Sequence, residues 1–483
     1  MLIKMLQLKQ IILFFFLALP AMAQQPVFSW GPAVNYEPRK LDRMHVVGLN
    51  STGFYTTYEE DYQVTLERYN NQNQRLWTVA LMPKTPEGQI SRFLDAVLLQ
   101  NKLYVLSTFY GGGRTSVFAQ RIHETGNYDS DIIPLISSTN GSSIRIGVSP
   151  DKKNLLLVQT GETGGPATVT LFSQELHPRW SRDFTPDGTV QEVAVRGDGT
   201  AFILARAGAT AASTAAFHLY HLHHEDGRIS GMALGKGQYR PLQAKLLLTP
   251  NRDVVVTGYF VRALSVVTQN PEPLGTYYYR LDAGEMQAPA GVYTLFDATF
   301  LRNYKRARVD RSHSRRLRNL QLGPLVPTED DGLVLLGEVT FAEAVGGSVT
   351  FNFEDILITS LQPDGTPRFV TSINKEQHIP KDGSSLGSYF ATSISDTLQL
   401  IYLDFANTNT TKENGSAPAA IAQKTAMLVS IAPDGKQQVS PLRNTPAGSK
   451  FYLRPATTFP VSAREFIVLG IGDGYYKYGR MRF

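Results

Sequence analysis

The sequence predicts an all-β chain folded as a single β-propeller, on three observations. A short apolar run of strand length recurs along the chain, turn pairs recur at regular offsets around it, and helical periodicity is nearly absent. The runs are Gly53–Tyr58, Lys102–Ser107, Asn154–Val158, Thr200–Leu204, Asp253–Gly258, Gly332–Gly337, Thr397–Tyr402 and Glu465–Gly470. Each is apolar at both odd and even positions. A strand covered on both faces requires that pattern, and a strand sandwiched between neighbouring sheets is covered on both faces.

An extended segment precedes each run across a turn such as Asp151-Lys152, Asp198-Gly199 or Asp331-Gly332, so the two strands form a hairpin. A second hairpin follows in most units, with turns at Asp226-Gly227, Asp364-Gly365 and Asp434-Gly435. An aromatic residue opens several of the outgoing strands: Trp77, Trp180 and Phe369. Four strands per unit give eight units at about 39–83, 90–136, 141–185, 188–236, 239–295, 315–372, 386–442 and 450–483, with a seven-bladed ring as the alternative. The last unit lacks an outer strand, and Pro26–Pro32, which carries Trp30, is the expected donor. A strand lent from the N-terminus closes the ring and removes an open edge. The one departure from β patterning is a crossover insertion at about 297–314, with a short helix expected near Asp297.

Met1–Ala23 reads as a signal peptide, leaving a propeller domain over 24–483. Lys4 and Lys9 open it, Ile11–Leu19 form its apolar stretch, and Ala21-Met22-Ala23 supplies the small-residue cleavage pattern. No other segment has the apolar length of a transmembrane helix. The two lysines leave with the leader and no acid does, which takes the formal charge from +5 to +3. An excess that small does not indicate nucleic acid. The chain has 0 cysteines, which removes disulfides, thiol catalysis and cysteine metal sites, and also the lipidated cysteine of a lipoprotein. The expected location is the periplasm, outer-membrane surface or exterior of a Gram-negative bacterium.

The layout resembles exported bacterial propellers with quinoprotein-like or kelch-like repeats, whose third strand ends in a short Asp-x-x-Gly turn followed by an aromatic residue. The layout is also similar to a family of uncharacterised exported proteins with a long crossover between two late blades. That resemblance implies a fold and a compartment, not an activity. A quinoprotein dehydrogenase is expected to repeat many tryptophans and often carries a vicinal cysteine pair, whereas this chain has 3 Trp and no Cys.

No residue pattern identifies a catalytic group, a cofactor or a metal. His218, His221, His223 and His224 form the densest histidine cluster, read as polar decoration of an outer hairpin. Glu59-Glu60-Asp61 and Glu329-Asp330-Asp331 could pair carboxylates, but acids at turns are ordinarily there for solvation. Gly111-Gly112-Gly113 lacks the Lys-Ser/Thr ending of a phosphate loop.

The strongest site signal is basic. Arg302, Lys305, Arg306, Arg308, Arg311, Arg315, Arg316 and Arg318 stand against Asp310 alone, in and just after the crossover. The planar fork of arginine suits carboxylate, sulfate or phosphate. Lys375 and Gln377, leaving an outer strand, are expected to assist on the same face. The long connections Val261–Gly275, Ala342–Thr350 and Asp404–Ala420 belong to that face as well. The function read from the sequence is therefore a binding or scaffolding propeller, with an acidic glycan or a protein partner as the anionic ligand. The alternative is a hydrolase or lyase acting on an extracellular polymer in the central funnel.

Overall fold

The computed structural model describes residues 25–36, 42–60, 62–139, 143–161, 165–208, 216–249, 251, 253–262, 271–281, 291–306, 317–345, 348–380, 387–405, 424–443 and 451–483. The Met1–Ala23 leader lies outside the described residues. Eight antiparallel sheets succeed one another along the chain, each a four-stranded blade with short additions in blades 5, 6 and 8. Blade 3 shows the plan: Ser143–Val148, Asn154–Thr160, Ala167–Ser173 and Pro178–Phe184 pair in chain order.

The eight apolar runs become the second strands. Asn154–Thr160 is buried along its whole length, while Pro178–Phe184, the outer strand, is mostly exposed. First strands are half-buried, as in Lys245–Leu248 of blade 5, and they are where neighbouring blades approach most closely. They therefore surround the ring axis. Polar side chains stitch first strands together there: the Gln243 amide donates to the Leu320 carbonyl (2.8 Å), and its oxygen accepts from the Leu322 amide (2.7 Å).

The apolar core is divided among the eight blade interfaces rather than gathered at a centre. Leu156, Leu171, Ile203 and Trp180 fill the space between blades 3 and 4; Leu400, Ile358, Tyr389 and Val429 fill that between blades 6 and 7. A separate cluster, with Phe54, Tyr69, Ile467 and Tyr478, lies between blade 8 and blade 1. The presence of that eighth interface decides for eight blades over seven.

Closure follows the expected route. Val27–Trp30 pairs antiparallel with Tyr475–Arg482, with Val27 opposite Arg482 and Trp30 opposite Gly479. Gln25 extends the seam by donating to Ser440 Oγ of blade 7 (3.0 Å). Trp30 is only half-buried, edge-on to Phe451 at 4.8 Å between ring centroids.

Two features depart from the sequence expectation. Ala342–Thr350 is not a loop: the hairpin Leu333–Val345 and Ser348–Leu361 stays paired to Val345 and Ser348. The fourth strand of that blade is also broken in two. Pro367–Ile373 pairs with the lower part of Ser348–Leu361, and Gln377–Pro380 pairs with its upper part, Thr350–Phe353. Continuous pairing satisfies the backbone groups that a long loop would have left to water.

Candidate functional site

A helix, Ala298–Arg306, begins the crossover from blade 5 to blade 6. It starts where the sequence supplies a cap: Asp297 Oδ1 accepts from the amides of Thr299 (2.7 Å) and Phe300 (3.0 Å). Those donors hold the Asp297 carboxyl below the usual carboxylate range. Phe296, Phe300 and Tyr304 fall four residues apart and form one apolar face, with successive centroids 6.1 and 5.9 Å apart. That face packs with Tyr259, Leu320, Leu335 and Leu357 between blades 5 and 6. Room exists there because the outer strand of blade 5, Val292–Leu295, is only 4 residues long.

Between this helix and the outer strand of blade 6 runs an open groove of about 670 Å³, within the size range of ordinary ligand pockets. Asp297, Thr299, Phe300, Asn303 and Tyr304 line one wall. Pro367, Phe369, Val370, Thr371, Ser372 and Asn374 line the other. Hydroxyl and amide groups are thus interleaved with the rings of Phe300 and Tyr304, while the Phe369 ring turns to the blade 7 side. Arg302, Lys305 and Arg306 are exposed on the same helix, and Arg302 donates to Thr299 Oγ1 (3.2 Å) at the rim.

Behind the groove lies a buried polar network. Tyr304 donates to Asp355 Oδ2 (3.2 Å), and Asp355 Oδ1 accepts the Lys375 amide (3.4 Å). The Lys375 ammonium uses three donors on Glu338 (2.6 Å), Gln377 Oε1 (2.7 Å) and the Phe353 carbonyl (3.1 Å). Gln377 in turn donates to the Leu403 carbonyl of blade 7 (2.6 Å). Burial holds the Lys375 ammonium below the usual lysine range, even with Glu338 beside it.

The residues singled out in the sequence thus divide three ways. Arg302, Lys305 and Arg306 are exposed on the helix that forms one wall of the groove, and Arg318 is exposed further along the chain; Lys375 and Gln377 are buried beneath the groove instead of lying on the surface; Arg308, Arg311, Arg315 and Arg316 lie outside the described residues. The inward turn of Lys375 follows from its place in the break between the two halves of the fourth strand. There the chain crosses over Glu338 and Asp355, and the ammonium meets both the Glu338 carboxylate and the Phe353 carbonyl. The groove itself went unpredicted, although the Phe296, Phe300, Tyr304 spacing was the signal available for its helical wall.

The other candidates do not converge. His218, His223 and His224 each lie 3.6 to 3.8 Å from a different acid, Asp187, Asp226 and Glu225. Among the described residues no three His, Asp or Glu side chains are arranged to hold a metal ion. In the second acid run, Glu329 accepts the Ser395 amide (3.0 Å), Asp330 pairs with Arg368, and Asp331 accepts from Asn251 (2.7 Å). Glu329 and Asp331 thus join blade 6 to its neighbours, and Asp330 ties the turn to the outer strand of its own blade.

No family model matches the chain, and no curated protein matches it. Among solved structures, it is similar to an uncharacterised protein from Listeria monocytogenes at 12% identity and a TM-score of 0.33, covering 80% of this chain and 93% of that one. A protein of unknown function from Bacteroides caccae is similar at 12% identity and 0.28, covering 69% and 94%. Prolyl oligopeptidase B from Galerina marginata is similar at 9% identity and 0.41, covering 89% of this chain and 55% of that enzyme. This chain therefore spans little more than half of the enzyme's length. Likeness at this level transfers neither an activity nor a ligand.

Proposed function

We propose that this chain is an exported binding or scaffolding propeller that holds an anionic ligand in the groove beside blade 6. One observation carries the reading: a groove of about 670 Å³ lined by hydroxyls, amides and aromatic rings, with Arg302, Lys305 and Arg306 exposed on its helical wall. The helix contains no acid, and Asp297 before it is engaged in capping. Arginine forks beside such a lining suit the carboxylates or sulfates of an acidic glycan, or the acidic segment of a protein partner.

The test is titration calorimetry with an acidic oligosaccharide and an acidic peptide, on wild type and on Arg302→Glu/Lys305→Glu/Arg306→Glu, at low and moderate salt. Binding is expected to weaken with salt and to be lost in the reversed variant. Binding that survives reversal, or that ignores salt, removes the proposal. Export is tested separately by the intact mass of material recovered from a secreting host. A mature chain beginning at Gln24 supports it, and a retained leader overturns it.

A further inference from the structure

We infer that the groove accepts an extended acidic peptide segment of a partner protein, added to blade 6 as a further strand. The inference rests on the groove being the binding site and names the class of ligand.

One wall of the groove is a strand edge. Pro367–Ile373 pairs on one side with Ser348–Leu361, and among the described residues no further strand pairs with its other side. Alternate residues of an antiparallel strand turn their N–H and C=O away from the partner strand. The Ser372 carbonyl is turned that way, since the Gln437 side-chain amide of blade 7 reaches it at 3.3 Å. Val370, two residues earlier, shares its orientation.

This edge differs from the others in the ring. Every other blade's outer strand has at least one exposed residue, whereas Pro367–Ile373 has none. Its one charge, Arg368, sits at one end, paired with Asp330, and Phe369–Ile373 is free of charge and rich in β-formers. Open edges are commonly blunted with charge, and this stretch is sheltered by a helix instead. A helix of 9 residues spans about 13 Å, which matches about four strand residues. The ring already contains a remote extended segment added as an outer strand, Val27–Trp30 on blade 8.

A peptide meets such an edge through its own backbone, with a repeat of roughly 6.7 Å for every second residue. Apolar side chains at alternate positions then meet Phe300 and Val370, and acids meet Arg302 and Arg306. A glycan shares the arginine contacts but has no matching backbone ladder.

The test selects short random peptides from a displayed library on the full chain. Enriched peptides are synthesised with and without N-methylation at alternate residues and titrated by fluorescence anisotropy. The enriched sequences are expected to be acidic and β-branched. N-methylation in one register should weaken binding by about tenfold or more, as loss of buried backbone hydrogen bonds requires, and the other register should leave it nearly unchanged. A library that enriches nothing, or peptides indifferent to N-methylation in both registers, overturns the inference. An acidic oligosaccharide that binds and is lost on reversal of Arg302 and Arg306, with peptides silent, retains the anionic-ligand reading and removes strand addition. If neither probe binds, both readings fall.

Discussion

The indole Nε1 of Trp77, on the outer strand of blade 1, donates to the carbonyl of Glu124 in the last turn of blade 2 (2.6 Å). The same ring lies over Gly126 of that turn, where a Cβ would stand 3.1 Å from it. The arrangement recurs two blades later, where Trp180 donates to the His224 carbonyl (3.1 Å) and covers Gly227. In blade 6, Phe369 lies against Gly435 of blade 7 without a hydrogen bond from its ring. The aromatic residue and the turn glycine, read in the sequence as separate signals, are two halves of one contact between neighbouring blades.

Gly227 has φ +67° and a Cβ there would come within 2.6 Å of the Trp180 ring. Gly227→Ala should therefore cost at least about 1–2 kcal/mol from the left-handed backbone alone. Trp180→Ala, at a site only 6% exposed, should cost about 3–5 kcal/mol. The double variant should cost less than the sum, because the two changes act on one contact. Denaturant titration of the three variants checks this, and strict additivity would separate the two residues.

Ring closure depends on a buried carboxylate. Glu67 of blade 1 is 0% exposed and accepts from Tyr69 (2.8 Å), Arg75 (2.9 Å) and, across the seam, Tyr476 of blade 8 (2.6 Å). Burial raises the Tyr69 and Tyr476 hydroxyls far above the usual tyrosine range, so both remain donors at any physiological pH. Glu67→Ala should cost about 3–5 kcal/mol by leaving buried partners unmatched. Deleting residues 25–36 should lower the denaturation midpoint and produce oligomers on size exclusion, through the exposed edge of Tyr475–Arg482. Unchanged stability and a monomeric elution would mean that the seam does not hold the ring.

The pair Lys375–Glu338 should behave as buried ion pairs do. Lys375→Met or Glu338→Leu alone should cost about 3–5 kcal/mol, and the double variant should recover most of it. Because burial lowers the Lys375 value in the folded state, the unfolded chain binds more protons between that value and the ordinary lysine range. Stability from this group therefore rises with pH across that window. Lys375→Met should lose this rise, as followed by denaturation at a series of pH values below the ordinary lysine range.

His378 titrates in the opposite sense. Its hydrogen bond to Glu376 (2.8 Å) raises it above the usual histidine range, while its other nitrogen meets Asn352 across the strand pair. The stabilisation is complete below the unfolded value and fades as pH rises through the raised folded one. Hydrogen exchange of the Thr350–Phe353 amides should quicken over that interval beyond its intrinsic rise. His378→Gln should remove the excess.

The sequence alone determined the all-β class, the four-stranded repeat of a propeller and the strand lent from the N-terminus, while the structure decided for eight blades over seven. Each of the first three is written in local signals: a strand buried on both faces carries apolar residues at both odd and even positions, and tight turns favour Asp and Gly. The exposed arginines of the helix were legible for the same reason, since charge without nearby opposite charge shows in a linear reading. Only the tertiary structure decided where Lys375 and Gln377 point, because their burial depends on Glu338, Phe353 and Leu403, which are close in space and scattered in sequence. The groove was decided there too. It is the space between a helix from one crossover and a strand some sixty residues later, and no local pattern encodes a gap between two elements that pack only once the ring has closed.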